Sequence, residues 1–219
     1  MAAASIPKAA DRLLPPLTAQ LASSKDEFTS ATLIDALESF GPAAAQAQPE
    51  LLDCLRTGRA ARAAARLLGL HSVPTPPLIA LLHEAARDGD DTTRAAAAVA
   101  HYRLTGEIAL PLDVFRDLLS SDRPVHWLLN TTEPLGAAAA PLFPLVDPLL
   151  SAPYEWTRMT AAEAHHRLTG SPDRALPVIT ELVGPTPVGL RALRALTALG
   201  ESPRRSAPSC AASPSPRSV

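Results

Sequence analysis

Two stretches of this sequence repeat each other: Thr93-Arg-Ala-Ala-Ala-Ala-Val-Ala-His-Tyr-Arg-Leu-Thr-Gly106 and Thr157-Arg-Met-Thr-Ala-Ala-Glu-Ala-His-His-Arg-Leu-Thr-Gly170. They lie 64 residues apart, and each leads into Ala-Leu-Pro, at Ala109-Leu110-Pro111 and Ala175-Leu176-Pro177. Such self-similarity implies an array of like units, each burying its apolar face on its neighbours. Leu135-Gly136 and Leu199-Gly200 mark a half-period, as do Phe40-Gly41 and Leu68-Gly69. The marker glycines fall at 41, 69, 106, 136, 170 and 200.

Each unit reads as a pair of helices. The first ends at the marker glycine, which tolerates the left-handed conformation that closes a helix. The second begins near a proline, whose missing N–H costs nothing there; Pro7, Pro49, Pro77, Pro111, Pro141 and Pro177 fit this role. Leu110, Val114, Leu118 and Leu142, Leu145, Leu149 have the spacing of buried helical stripes. Ala61, Ala64, Ala65 and Ala96, Ala97, Ala100 on first helices let neighbouring helices approach closely. Composition agrees: 42 Ala and 34 Leu among 219 residues favour helix, and 8 aromatic residues leave little to build strands. A β-sandwich or β-barrel is excluded, and an α/β fold is disfavoured. The expected fold is all-α, with five full hairpins at about 29–55, 59–87, 92–119, 123–150 and 154–184. A lone second helix from Ile6-Pro7 precedes them and a lone first helix over Val188–Leu199 follows.

The pattern Arg-x-x-Ala-Ala-x-Ala-x-x-Arg-Leu-Thr-Gly, then Ala-Leu-Pro and a Leu-rich helix, resembles the HEAT-type repeats of bacterial armadillo-like α-solenoids. The resemblance covers roughly residues 3–200. It implies a right-handed superhelix of stacked antiparallel hairpins with second helices lining the concave side. It also implies an interaction scaffold rather than an enzyme.

Charge on this scheme is unequal. First helices carry Arg59, Arg62, Arg66, Arg94, Arg103, Arg158, Arg167, Arg191 and Arg194 against Asp35, Glu38 and Glu163. Second helices carry Asp11, Glu50, Asp53, Glu84, Asp113, Asp117, Asp147 and Glu181 against Lys8, Arg12, Arg87 and Arg116. An acidic concave face attracts a basic protein or peptide and repels a phosphate backbone. Asp113, Asp117, Asp147 and Glu181 are the expected partner-binding residues. The opposing expectation is a ladder of Arg–Asp contacts that neutralises both sets internally.

No catalytic group, metal site or cofactor is expected. Adjacent His165 and His166 point about 100° apart on a helix and do not share a metal easily, so His101 and His165 read as packed or boundary histidines at one repeat position. His83-Glu84 is similar to the His-Glu pairs of HEAT-like di-iron hydroxylases, but those use several pairs and this is a single one. A HEAT-fold lyase or metal-dependent enzyme is one alternative. Nucleic-acid binding through the Arg-rich first helices is the other, disfavoured by a net charge of −2. Trp127 and Trp156 read as gap fillers between Ala-rich helices, with anchoring of a partner as the alternative, and Cys54 as a buried thiol. Two cysteines and no secretory signal point to a reducing, cytoplasmic setting. No apolar run approaches the roughly 20 residues of a membrane span.

Both ends stop in mid-repeat, which reads as a fragment of a longer array with exposed ends able to self-associate. Residues 201–219 are Ser-, Pro- and Arg-rich and are expected to be disordered. The use of 18 Arg against 2 Lys points to GC-rich coding DNA. Out of frame, the run from position 203 then permits Ala-Ala-Pro-Leu-Arg-Ala-Leu-Leu-Arg-Gly-Leu. That parallels Ala139-Ala-Pro-Leu-Phe-Pro-Leu-Val-Asp-Pro-Leu149, again 64 residues earlier. The tail is therefore expected to be an out-of-frame reading of a second helix. Translation of the flanking coding DNA in all three frames should reveal further Leu/Ala-periodic helices; their absence from the shifted frame would overturn the expectation.

Overall fold

The computed structural model describes residues 6–121 and 126–201. Among these, every regular element is helical. The α-helices are α1 (Ile6–Ser23), α2 (Glu27–Glu38), α3 (Gln48–Thr57), α4 (Ala61–His71), α5 (Pro76–Asp88) and α6 (Asp91–Thr105), then α7 (Ala109–Leu119), α8 (His126–Thr131), α9 (Phe143–Val146), α10 (Glu155–Thr169), α11 (Ala175–Glu181) and α12 (Pro187–Glu201). Three 3-10 segments, Gly41–Ala47, Glu133–Leu142 and Asp147–Ser151, join them. The all-α class holds for the described residues. The tail expected to be disordered lies outside them, apart from its first residue, Glu201, which closes α12. The first residues of the expected hairpin 123–150 also lie outside them.

Helices pack in chain order. The even-numbered helices α2, α4, α6, α8, α10 and α12 each touch the next in that series. On the other side α1, α3, α5 and α7 do the same, and α7 also meets Glu133–Leu142 and α9. Local chemistry explains the boundaries. Asp90 caps α6 by accepting bonds from the Thr92 and Thr93 N–H groups, both at 2.9 Å, and Asp26 caps α2 in the same way through Thr29. The repeated Leu-Thr-Gly is a helix stop. Thr105 donates its hydroxyl to the His101 carbonyl at 2.8 Å and accepts from the Glu107 N–H. Thr169 does the same with His165 and Ser171. The following glycines, Gly106 and Gly170, are left-handed with φ of 75° and 69°.

The buried layer between the two series is aliphatic. Ala61, Ala64, Ala65, Ala96, Ala97 and Ala100 are all buried. Leu67, Leu68, Leu78, Leu82 and Phe115 fill the space beside them. Full burial of a Leu side chain contributes about 1.5–3 kcal/mol.

Three sequence expectations need correction. Gly69 does not end a helix: it lies inside α4, where its backbone approaches α6. A Cβ built on it would sit 2.6 Å from the Cα and Cβ of Ala100. Gly200 likewise lies within α12. The fourth hairpin is not two regular helices, since α8 ends at Thr131 and the chain continues through 3-10 turns and the single α-turn of α9. Pro134, Pro141, Pro144 and Pro148 each remove an N–H donor from that stretch, and Gly136 turns sharply with φ 52° and ψ −137°. The buried side chains there are Leu135, Ala139, Leu142, Val146 and Leu150. The expected stripe through Leu145 and Leu149 is thus displaced by one residue. The third correction concerns apolar length. Glu133–Ser151 runs 19 residues at a mean hydropathy of 1.2, long and apolar enough to match a membrane span by length and composition. Its segments pack on α10.

Gly69→Ala tests the close approach. At an ordinary interior helix position the change gains about 1 kcal/mol. Here the methyl meets backbone, and overpacking should cost about 1–3 kcal/mol instead, read as a lower urea midpoint. Adding Ala100→Gly should restore part of the loss, whereas a stabilised single variant would refute the contact.

Candidate functional site

The four carboxylates expected to bind a partner are each engaged by an arginine. Arg94 on α6 reaches Asp117 on α7 at 2.7 Å. Arg158 on α10 reaches Glu181 on α11 at 2.9 Å. Both members of this pair recur 64 residues apart, so the contact is part of the repeat. Arg116 holds Asp113 one turn away at 2.8 Å, and Arg174 lies 3.0 Å from Asp147. Sequence counting assigned Arg94 and Arg158 to one layer and their carboxylates to the other, but the long side chains cross the hairpin. Asp113, Asp117 and Glu181 stay water-accessible, at 75%, 65% and 66% side-chain exposure. Asp147 is more enclosed. Asp113 and Asp117 share α7, while Asp147 and Glu181 lie on two other elements, and among the described residues no three His, Cys, Asp or Glu side chains converge to hold a metal.

The repeated histidines are buried. His101 and His165 are each 3% exposed, at the position that Leu37 fills in α2 one repeat earlier. Thr105 Oγ1 lies 3.3 Å from His101 Nδ1. The His101 ring meets His83 edge-on, and the His165 ring lies 5.3 Å from that of Phe143. Burial pushes both imidazoles below the ordinary histidine pKa. Glu107 and Asp147 pull the other way, while His83 for His101, and Arg174 and His166 for His165, reinforce the drop. Cys54 is buried, with Arg59 Nη2 at 3.3 Å from its sulfur.

A pair of adjoining hollows that the sequence reading did not anticipate forms a groove over α2, α4, α6 and α8. Its larger opening, about 480 Å³, is lined by Glu27 and Asp35 of α2, Arg62 and Arg66 of α4, and Asp90 and Thr92. A second cavity of about 320 Å³ shares Arg62, Arg66 and Thr92 with it and extends to α8. Its apolar wall is Ala96, Val99 and Ala100 of α6 with Trp127 of α8; its polar rim is Arg62, Arg66, Arg103, Asn130 and Glu133. Arg66 is held by Asp35 at 2.7 Å and by Glu38. Arg62 and Arg103 have no ion-pair partner among the described residues. Trp127, read from sequence as a gap filler, is only half-buried and forms part of this wall. The available signal was the concentration of arginines on first helices. It was visible in sequence, but the hollow between them was not.

None of the protein-family models, curated proteins or solved structures compared with the chain matches it.

The buried histidines set a pH dependence. Each folded-state pKa lies below the unfolded value of about 6.5. The neutral-ring contribution is therefore fully present above that value and is lost as pH falls below it, because the unfolded chain takes up the proton first. The urea midpoint should fall between pH 7.5 and 5.5. A His101→Leu/His165→Leu double variant, which copies the Leu37 environment, should lose less over that interval; an unchanged pH profile would show that these two rings do not carry the effect.

Proposed function

We propose that the chain is a non-catalytic protein-interaction scaffold, an α-solenoid of HEAT-type hairpins that holds an extended partner segment in the groove over α2, α4, α6 and α8. The observation that carries this reading is the groove itself. Four successive helices contribute to its walls, as expected where repeats each add a strip to one continuous surface. Apolar wall, aromatic side chain and polar rim together supply burial and orientation for a bound chain.

The expected acidic surface around Asp113, Asp117, Asp147 and Glu181 forms a second reading. Its support is the exposure of three of the four carboxylates. Its weakness is that a basic segment must compete with arginines already in place, so the net field of that surface is smaller than a count of acids gives. A continuous nucleic-acid backbone fits the groove poorly, because Glu27, Asp35, Asp90 and Glu133 stand along it.

Panning a random dodecapeptide library against the full chain tests the proposal. Saturable binders should be recovered and should compete with one another for one site. Thr131→Trp at the cavity rim should weaken them about tenfold or more with helicity unchanged. Binders lost instead on Asp113→Lys/Asp117→Lys would move the site to the acidic surface. No saturable binder at all would overturn the scaffold.

A further inference from the structure

We propose that the cavity between α4, α6 and α8 receives an acidic side chain of a bound peptide, with an apolar neighbour of that residue seated against Trp127. This rests on the scaffold reading and names the chemistry its groove selects. Three arginines from two helices converge on one cavity of about 320 Å³, with Asn130 beside them. They are not equivalent. The charge of Arg66 is already met by Asp35 and Glu38, whereas Arg62 and Arg103 have no ion-pair partner among the described residues. Arg66 opposes the charge of Arg103, and the nearby carboxylates of Glu38 and Glu133 partly offset it without forming an ion pair. A carboxylate placed between Arg62 and Arg103 gains charge-assisted hydrogen bonds from planar guanidinium donors.

The repeat provides a comparison. Arg167 stands 64 residues after Arg103, and its guanidinium is spent on the Leu129 carbonyl at 3.1 Å. Arg191, on the same series of helices, is fixed by Glu163 and by Asn130 at 2.7 Å. These two arginines tie helices together, and Arg62 and Arg103 do not.

Charge distribution along the groove decides the class of ligand. Carboxylates flank the arginines on both sides: Glu133 at the α8 end, and Glu27, Asp35 and Asp90 toward α2. A ligand with a negative charge at every unit meets repulsion at both ends. A peptide with one local acidic residue does not. The two cavities adjoin through Arg62, Arg66 and Thr92, an arrangement that suits an extended chain laid across both. The wall of Ala96, Val99, Ala100 and Trp127 takes an apolar side chain next to the acid.

The test uses the full chain and two fluorescent synthetic peptides that differ only in a Glu-Leu-Glu or Gln-Leu-Gln core, read by anisotropy. The Glu peptide should bind about tenfold or more tightly than the Gln peptide, with the margin shrinking at high salt. Arg62→Gln/Arg103→Gln should remove the margin while circular dichroism stays unchanged, and Arg194→Gln, outside the cavity, should leave it intact. Equal affinity for the two peptides, with both lost on Thr131→Trp, would overturn the carboxylate pocket and leave the groove standing. No binding of either peptide, together with an empty library selection, would overturn both. A single-stranded oligonucleotide that binds more tightly than the Glu peptide and depends on Arg62 and Arg103 would overturn the assignment to peptide.

Discussion

The close approach of α4 to α6 governs much of what surrounds it. Helices brought this near tolerate only Gly and Ala at the line of contact, which is why Gly69 faces Ala100; around it the α6 side chains at 95–98 are also Ala and buried. Bulk is displaced to either side of that line. Leucines and Phe115 fill the layer shared with the odd-numbered helices. On the opposite side the helices project long polar chains, Arg62, Arg66 and Arg103, around a hollow with an alanine and valine wall. The groove is thus a by-product of small-residue packing: side chains too short to fill the space above the seam leave a trough there, and arginines stand at its edges.

Ion pairs in this molecule form within a hairpin, as Arg94–Asp117 and Arg158–Glu181 do, and between neighbouring ones, as Arg66–Asp35 and Arg191–Glu163 do. The Arg94–Asp117 and Arg158–Glu181 pairs are exposed on the carboxylate side, and pairs of that kind contribute at most about 1 kcal/mol each. Their main effect is on the surface field. A face that looks acidic from composition is compensated locally, while the groove retains two arginines without ion-pair partners among the described residues.

Much of the helical order was legible in one dimension because it depends on local chemistry. Asp90 before Thr92, Thr105 before Gly106 and Pro111 near the start of α7 each act within a few residues, and the sequence reading placed helix ends at these glycines and starts at these prolines. Gly69 was misread because glycine serves two unrelated purposes, left-handed turning and backbone contact, and spacing does not separate them. The stretch 133–151 was misread because a leucine period was followed through Pro144 and Pro148, which break its phase. The candidate site was hidden for a different reason. An arginine side chain reaches far enough to leave the face on which its Cα sits, so a count of charges per helix gave neither the pairing of Asp117 nor the absence of an ion pair at Arg103 among the described residues.

The recurrence of one ion pair at a spacing of 64 residues bears on how such a chain grows. A duplication of that length copies Arg94 and Asp117 together, so this pair arrives already matched across its hairpin. Arg103 is copied as well, but its descendant can be recruited to a carbonyl, as Arg167 is. Duplication therefore preserves the framework automatically and leaves the groove arginines as the positions where sister units are free to diverge.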